Sequence, residues 1–213
     1  MSGAIAHEIR NPLTNISLSA EILRDRLSTF DNIPELESSL NIISRNYERI
    51  DKLVKDLLYS YKAEKRNFTQ INLDEIVEEV LIMASDRILL KGILLEKKIE
   101  TTYKVSADTE ALKIALLNIV VNAIEAMKPS IGLLRISIVN QAEKVVLTIQ
   151  DNGIGMSQQE VAKMFDPYYS KKPAGLGVGL ANVKSILQNH QARIEVISAP
   201  GKGTSFSIFF NEV

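Results

Sequence analysis

NIVVNAIEA, residues 118–126, sets two asparagines four apart in an otherwise apolar helical run. At that spacing both amides leave the same face of a helix. Carboxamides in the middle of an apolar helix are unfavourable unless they meet a ligand or a buried partner. One partner that suits Asn118 and Asn122 is a metal-bound polyphosphate, because Mg2+ takes oxygen ligands and usually shares them with substrate phosphates. Three glycine clusters follow: DNGIG at 151–155, GLGVGL at 175–180 and GKGT at 201–204. Each alone reads as a turn or a flexible loop. A dinucleotide-binding fingerprint does not fit, since Gly175, Gly177 and Gly179 lack its last spacing and follow a polar loop rather than a strand. Taken with the asparagines they point elsewhere. A glycine-rich run entering a helix near Val178 supplies backbone N–H donors and a positive dipole end for phosphates. Asp151, at a strand end beside two glycines, offers a carboxylate where a planar base can approach the backbone. The four features, in chain order, describe one nucleotide site.

Composition narrows the setting. The 213 residues are 46% hydrophobic, enough for a packed core in one large or two small domains. Lys plus Arg number 25 against 26 Asp plus Glu, a formal net charge of -1, so no nucleic-acid partner and no anionic membrane surface is expected. The absence of cysteine excludes disulfides, thiolate nucleophiles and Cys-ligated metals, and fits a reducing, cytoplasmic setting. No apolar run approaches the ~20 residues needed to span a bilayer. Membrane contact is therefore not expected of this segment, while the parent protein is open to membrane attachment through a missing N-terminal region.

The organisation changes once along the chain. Leu36, Leu40, Ile43, Tyr47, Ile50, Val54, Leu57 and Tyr61 alternate spacings of four and three, the seam of a heptad helix. Ile5, Ile9, Leu13, Ile16, Ala20, Leu23 and Leu27 form an upstream stripe, and STFDNIP between the two carries turn residues. Residues 1–66 thus read as an all-α helical hairpin, expected to be N-terminally truncated because a helix is already running by Ile5. Two such stripes are not buried by each other alone, so a four-helix bundle formed by a homodimer is the economical solution. Residues 67–213 read differently. Strands are expected over 69–72, 93–99, 134–140, 145–150, 193–198 and 204–210, with helices over 73 to about 90, 108–127 and from Gly177 to about 189. Paired strands with interspersed helices predict an α+β sandwich, one sheet covered on one face by helices.

HEIRNPL (7–13), NIVVNAIEA (118–126), DNGIGM (151–156), MFDPYYSKK (164–172), GLGVGLANVKSIL (175–187) and GKGTSF (201–206) resemble, in identity and order, the H, N, G1, F, G2 and G3 boxes of the sensor histidine kinases of two-component systems. The resemblance covers nearly the whole chain. It implies a dimerisation and histidine-phosphotransfer hairpin followed by an ATP-binding domain of the Bergerat type, shared with gyrase, Hsp90 and MutL. It implies that Asn122 ligands Mg2+ and that Asn118 helps hold the phosphates. Asp151 would accept from the adenine amino group, Gly153 and Gly155 would let the base approach, and Thr204 would line the adenine side. Gly175, Gly177, Gly179 and Leu180 would cradle the phosphates and hinge a lid, with Phe165, Tyr168 and Tyr169 packing. At Glu125 some family members carry a basic residue, so Lys171 or Lys172 is the expected cationic help.

Read alone, His7 sits on a solvated helix face with Arg10, Asn11 and Thr14, turned away from Ile5 and Ile9. The resemblance makes it the phosphoacceptor, with Glu8 accepting or orienting the proton on its other ring nitrogen. Asn11 takes the position that orients water for dephosphorylating a response regulator, and Pro12 predicts a bend just beyond. The resemblance thus implies a histidine autokinase that passes its phosphoryl group to a response regulator receiver domain. Two alternatives stand beside it: a GHKL ATPase, whose members carry Glu where this chain has Asn118, and a nucleotide-binding scaffold without phosphotransfer. One departure concerns the turn after His190, where QAR replaces the family's usual glycine pair. His190 itself is expected to be structural, mildly favoured as an imidazolium at a helix end.

Overall fold

The chain divides into two compact units, Met1–Lys65 and Arg66–Val213. The structure, a computed structural model, describes residues 67–99, 101–141, 144–170 and 177–211, and within the first unit positions 16, 19, 20, 23, 38–40, 42, 43, 46 and 50. Those first-unit positions are helical. Ser19, Ser39 and Asn46 are buried, and Asn46 satisfies its amide by donating to the Ile42 carbonyl one turn back, at 2.8 Å. Leu40, a seam position, is 55% exposed in the single chain. The expected hairpin turn and the bend at Pro12 lie outside the described residues.

The second unit runs β1 (Thr69–Asn72), α1 (Leu73–Lys91), β2 (Leu94–Ile99), β3 (Lys104–Ala107), α2 (Thr109–Ala126), β4 (Leu133–Gln141), β5 (Lys144–Asp151), α3 (Gln158–Lys163), α4 (Gly179–Asn189), β6 (Arg193–Ser198) and β7 (Thr204–Asn211). Five strands form one sheet in the order β2-β4-β5-β7-β6, and β1 pairs with β3 as a separate ribbon. Only the β2–β4 pairing in that sheet is parallel. The period-2 pattern decides the sheet's inner face: Phe206, Ile208 and Phe210 of β7 are buried, with Val145, Leu147 and Ile149 of β5 beside them. The outer positions between them are one apolar pair, Val146 with Phe209, and one polar pair, Thr148 with Ser207, whose hydroxyls are 3.2 Å apart. α2 packs between α1 and α4 and lies on β5. This is the α+β sandwich that the alternation implied.

α2 is the central helix because its apolar residues recur at three and four: Leu112, Ala115, Leu116, Ile119, Val120, Ala123 and Ile124 are all buried. Asp108 caps it, its side chain accepting the Ala111 N–H at 3.0 Å. Pro129 disfavours the α region at Lys128 and so stops the helix. The last turn of α2 has no basic residue of its own. Lys91 supplies one from α1, donating to the carbonyls of Ile124 at 2.7 Å and Glu125 at 3.0 Å.

Two elements were not expected. β3 is four residues long, too short to show a period, and exists because Val105 and Ala107 are buried as it pairs with β1. α3 lies in a segment read as loop, yet Ser157 and Glu160 form a capping box, a signal that was present in the sequence. His190 is structural, as expected, although its ring does not serve as an imidazolium. It is buried, its Nε2 accepts the Asp108 N–H at 3.0 Å, and Nδ1 therefore donates to the Ile186 carbonyl at 2.8 Å. A neutral ring thus ties the end of α4 to the start of α2. The turn after it is made by Gln191 in the left-handed region, with φ 52°.

A side chain in that region is disfavoured by about 1–2 kcal/mol, a penalty that glycine escapes. Gln191→Gly is expected to stabilise the fold by about 1 kcal/mol, read as a higher midpoint of thermal unfolding; an unchanged or lower midpoint would contradict the strain assigned to Gln191.

Candidate functional site

The register that pairs Asp151 with Thr204 across β5 and β7 brings the first and third glycine clusters together at one end of the sheet. Asp151 there is only 3% exposed. Gly153 N–H donates to its Oδ1 at 2.7 Å, and the backbone N–H of Thr204 also bonds to the carboxylate. Burial pushes the carboxyl above its ordinary 3.8, while the two N–H bonds pull the other way without cancelling it. The side chain is an acceptor held by backbone N–H groups.

The glycines around it are close-approach points of backbone on backbone. A Cβ on Gly203 would stand 2.0 Å from the Asp151 carbonyl oxygen, and one on Gly155 would stand 1.9 Å from that of Ala199. A Cβ on Gly153 would meet the Ala126 carbonyl and Asp151 Oδ1, both at 2.7 Å. The space a side chain would need at Gly153 and Gly155 is therefore filled by the protein itself. Ile154 N–H donates to the Ala126 carbonyl at 3.1 Å, which fastens this loop to the end of α2. Asn152 fastens it to the turn before β4, accepting the Leu133 N–H at 2.8 Å and donating to the Ile131 carbonyl at 2.9 Å.

α2 presents Asn118 and Asn122 one turn apart, both half-buried. Asn118 donates its amide N–H to the Ile114 carbonyl at 3.0 Å, which leaves Oδ1 directed away from its own backbone. That oxygen faces the start of α4: a Cβ on Gly179 would come within 2.9 Å of it. Asn122 is engaged within the protein as well. Leu180 follows in the first turn of α4, half-buried. Gly177, at φ 68°, is pressed against the Tyr168–Tyr169 backbone, and its carbonyl accepts the Tyr168 N–H at 3.0 Å. Tyr168 does not pack as expected: the residue is 76% exposed and its own φ is 68°. Phe165 lies under Lys184, whose ammonium is 5.8 Å from the ring centroid.

Asp151, Gly153, Gly155 and Thr204 thus gather at one end of the sheet, against the C-terminal end of α2 at Ala126, and Asn118, two turns earlier on the same helix, meets Gly179. Lys171, Lys172 and Gly175 lie outside the described residues, as do His7, Glu8 and Asn11. Among the described residues no group of three or more His, Cys, Asp or Glu could hold a metal alone. The amide oxygens of α2 fit a hard divalent cation only where a ligand shares its coordination. Sequence reasoning missed Ser198, whose hydroxyl accepts the Met156 N–H at 2.8 Å, donates to the Gly203 carbonyl at 2.9 Å and lies 2.9 Å from the Thr204 hydroxyl. A serine ending an edge strand carries no local signal of such a role.

Residues 107–213 match the model of the histidine kinase-, DNA gyrase B- and HSP90-like ATPase family, and residues 1–66 match that of the His kinase A phospho-acceptor domain. The chain belongs to the sensor histidine kinases of two-component systems. It is 32% identical over 98% of its length to sporulation kinase C of Bacillus subtilis and 31% identical over 98% to the signal transduction histidine-protein kinase AtoS of Escherichia coli. It spans 47% and 34% of those two proteins, about half their length or less. The catalytic domain of histidine kinase ThkA superposes on 68% of the chain, covering 96% of that domain, with a TM-score of 0.63 and 26% identity. ThkA in complex with the response regulator protein TrrA covers 100% of this chain, with 61% of the ThkA chain matched, at a TM-score of 0.76 and 25% identity.

Gly203 and Gly201 separate crowding from conformation. Both have positive φ, 78° and 73°, but a Cβ on Gly201 would meet nothing within 4 Å. Gly201→Ala is expected to destabilise the fold by about 1 kcal/mol and Gly203→Ala by about 3 kcal/mol or more, measured by denaturant unfolding. Asp151 generates a pH signature. Because its folded carboxyl lies above 3.8, the native state binds the extra proton in that window, and stability from this group falls as pH rises through it. Asp151→Asn removes the penalty, so the variant's melting temperature relative to the parent is expected to be higher at about pH 7 than at about pH 4. An advantage that shrinks with rising pH would refute the assignment.

Proposed function

We propose that the chain is an ATP-dependent protein-histidine kinase, with residues 1–66 as dimerisation and phosphotransfer hairpin and 67–213 as catalytic domain. The observation that carries this reading is Asn118 Oδ1 beside the first residue of α4, with the buried carboxylate of Asp151 at the neighbouring sheet end. A purine amino group suits Asp151 and Thr204. Phosphates suit the backbone N–H groups where α4 begins, between Gly177, Gly179 and Leu180, with Gly175, Lys171 and Lys172 completing the same loop. Asn122, with Asn118 next to it, would hold Mg2+, which when bound neutralises developing charge on the transferred phosphoryl group.

In this reading one ring nitrogen of neutral His7 attacks the γ-phosphorus of ATP. A P–N bond forms, the bond from phosphorus to the β,γ-bridging oxygen breaks, and ADP leaves. Glu8 accepts or orients the proton on the other ring nitrogen. An aspartate carboxylate of a response regulator receiver domain then attacks the phosphorus and releases His7. Asn11 would orient water against the resulting aspartyl phosphate, giving the chain phosphatase activity too. The seam that leaves Leu40 exposed in one chain supports assembly as a homodimer through the hairpin. Among the described residues no helix is long and apolar enough to cross a membrane. A cysteine-free, ATP-using segment suits the cytoplasm. A GHKL ATPase is less well supported, because residue 118 is an amide rather than the carboxylate that would activate water for hydrolysis, and a scaffold is less well supported because His7, Glu8, Asn122 and Asp151 are all present.

Incubation with γ-labelled ATP and Mg2+ is expected to give acid-labile label on the chain, abolished in His7→Gln while nucleotide binding persists. Label retained in the variant would move the phosphoacceptor elsewhere. For the second activity, Asn11→Ala should slow dephosphorylation of a cognate regulator by tenfold or more, roughly the range of one positioned polar group, and an unchanged rate would withdraw the phosphatase role.

A further inference from the structure

We infer that Ser198 is a positioning residue that fixes the direction of the Thr204 hydroxyl, so that Thr204 offers the nucleobase only lone pairs and the pocket favours an amino group over a carbonyl at purine C6. The inference rests on the nucleotide reading above and deepens it. A serine hydroxyl has one proton to donate and two lone pairs to accept with. The Gly203 carbonyl can only accept, so the Ser198 proton goes to it, at 2.9 Å. Met156 N–H can only donate, so it takes one Ser198 lone pair, at 2.8 Å. The 2.9 Å contact with Thr204 Oγ1 then has one direction left: Thr204 donates and Ser198 accepts. Every hydrogen-bonding capacity of Ser198 is filled.

The consequence falls on the site. With its proton turned to Ser198, Thr204 Oγ1 is an acceptor toward anything that enters beside Asp151, its Cα partner across β5 and β7. Asp151, ionised, also only accepts. A 6-amino purine brings donors to these two acceptors, whereas a 6-oxo purine brings a carbonyl oxygen against them. Without Ser198 the Thr204 rotor would be free to donate, and this discrimination would weaken. Ser198 does so without touching the nucleotide itself, and it also joins the loop after β5 to the turn before β7, which hold Asp151 from two sides.

The test is the preference for ATP over inosine triphosphate, taken as the ratio of dissociation constants measured by calorimetry with Mg2+ on the full chain. Wild type should prefer ATP. Ser198→Ala should reduce that preference by about fivefold, the scale of one hydrogen bond changed in direction, and Ser198→Thr, which keeps the hydroxyl, should restore it. A purely structural role would weaken both nucleotides alike, so a preference unchanged in Ser198→Ala overturns the inference, whatever happens to the melting temperature. Should Ser198→Ala not fold, Thr204→Val removes the same lone pairs and must lower the preference; an unchanged ratio there overturns it equally. Wild type that binds neither nucleotide would sink the nucleotide reading and this inference together, whereas wild type that prefers ATP with an unaltered ratio in the variants sinks only the role of Ser198.

Discussion

A carboxylate buried at the end of a central strand needs hydrogen-bond donors, and in this domain the backbone supplies them. The N–H groups of Gly153 and Thr204 both reach Asp151. For Thr204 to do so, β7 must begin opposite the last residue of β5, and Gly203 must pass within a distance of the Asp151 carbonyl that no side chain would tolerate. For Gly153 to do so, the chain must turn back immediately after the strand, against the end of α2. The sheet register, the two glycine turns and the seating of α2 are therefore answers to one requirement. An unpaired buried charge would be far more unfavourable than the strain of the turns. The raised carboxyl shows that the answer is incomplete, which leaves the group able to gain from a further donor.

The supports of α2 follow the same logic at longer range. Its C-terminal carbonyls are held by Lys91 from α1, the Ala126 carbonyl by Ile154, and the backbone at its N-terminal cap, Asp108, by His190 from the end of α4. The helix that displays Asn118 and Asn122 is pinned at both ends by residues distant in sequence. This fixes the amides relative to Gly179 and to the loop after β5, which is what a site assembled from separate boxes requires.

Much of this was legible in the sequence, and the reasons differ by residue. The 3.6 period of α2 and the period-2 runs of β5 and β7 are one-dimensional signals of burial, so the elements and the inner face of the sheet could be read directly. Asn118 and Asn122 stood out because amides conflict with an apolar helix, and the glycines because they cluster. β3 could not be read: four residues hold no period, and its partner strand is over thirty positions away. The turn at Gln191 was legible as an anomaly but not as a conformation, because nothing local announces that a glutamine will adopt positive φ. Ser198, Lys91 and His190 were illegible as supports for a different reason. Each acts through partners that only the fold brings near, and each looks like an ordinary surface or helix-end residue in its own neighbourhood.

The two ends of the site differ in polarity. At the Asp151 end the protein offers acceptors: a carboxylate and, through Ser198, a threonine whose proton is turned away. At the Asn118 end an acceptor oxygen lies against the start of a helix, where N–H groups point outward as donors. A lone anion would find the amide oxygen repulsive, and a lone cation would find the helix dipole repulsive. A ligand carrying both, an anion with its own cation, satisfies the juxtaposition without desolvating an unpaired charge. A metal-bound polyphosphate tethered to an aminated base has donors at one end and paired ions at the other. That pairing of polarities, more than any single motif, separates this site from a glycine-rich turn that happens to lie beside two asparagines.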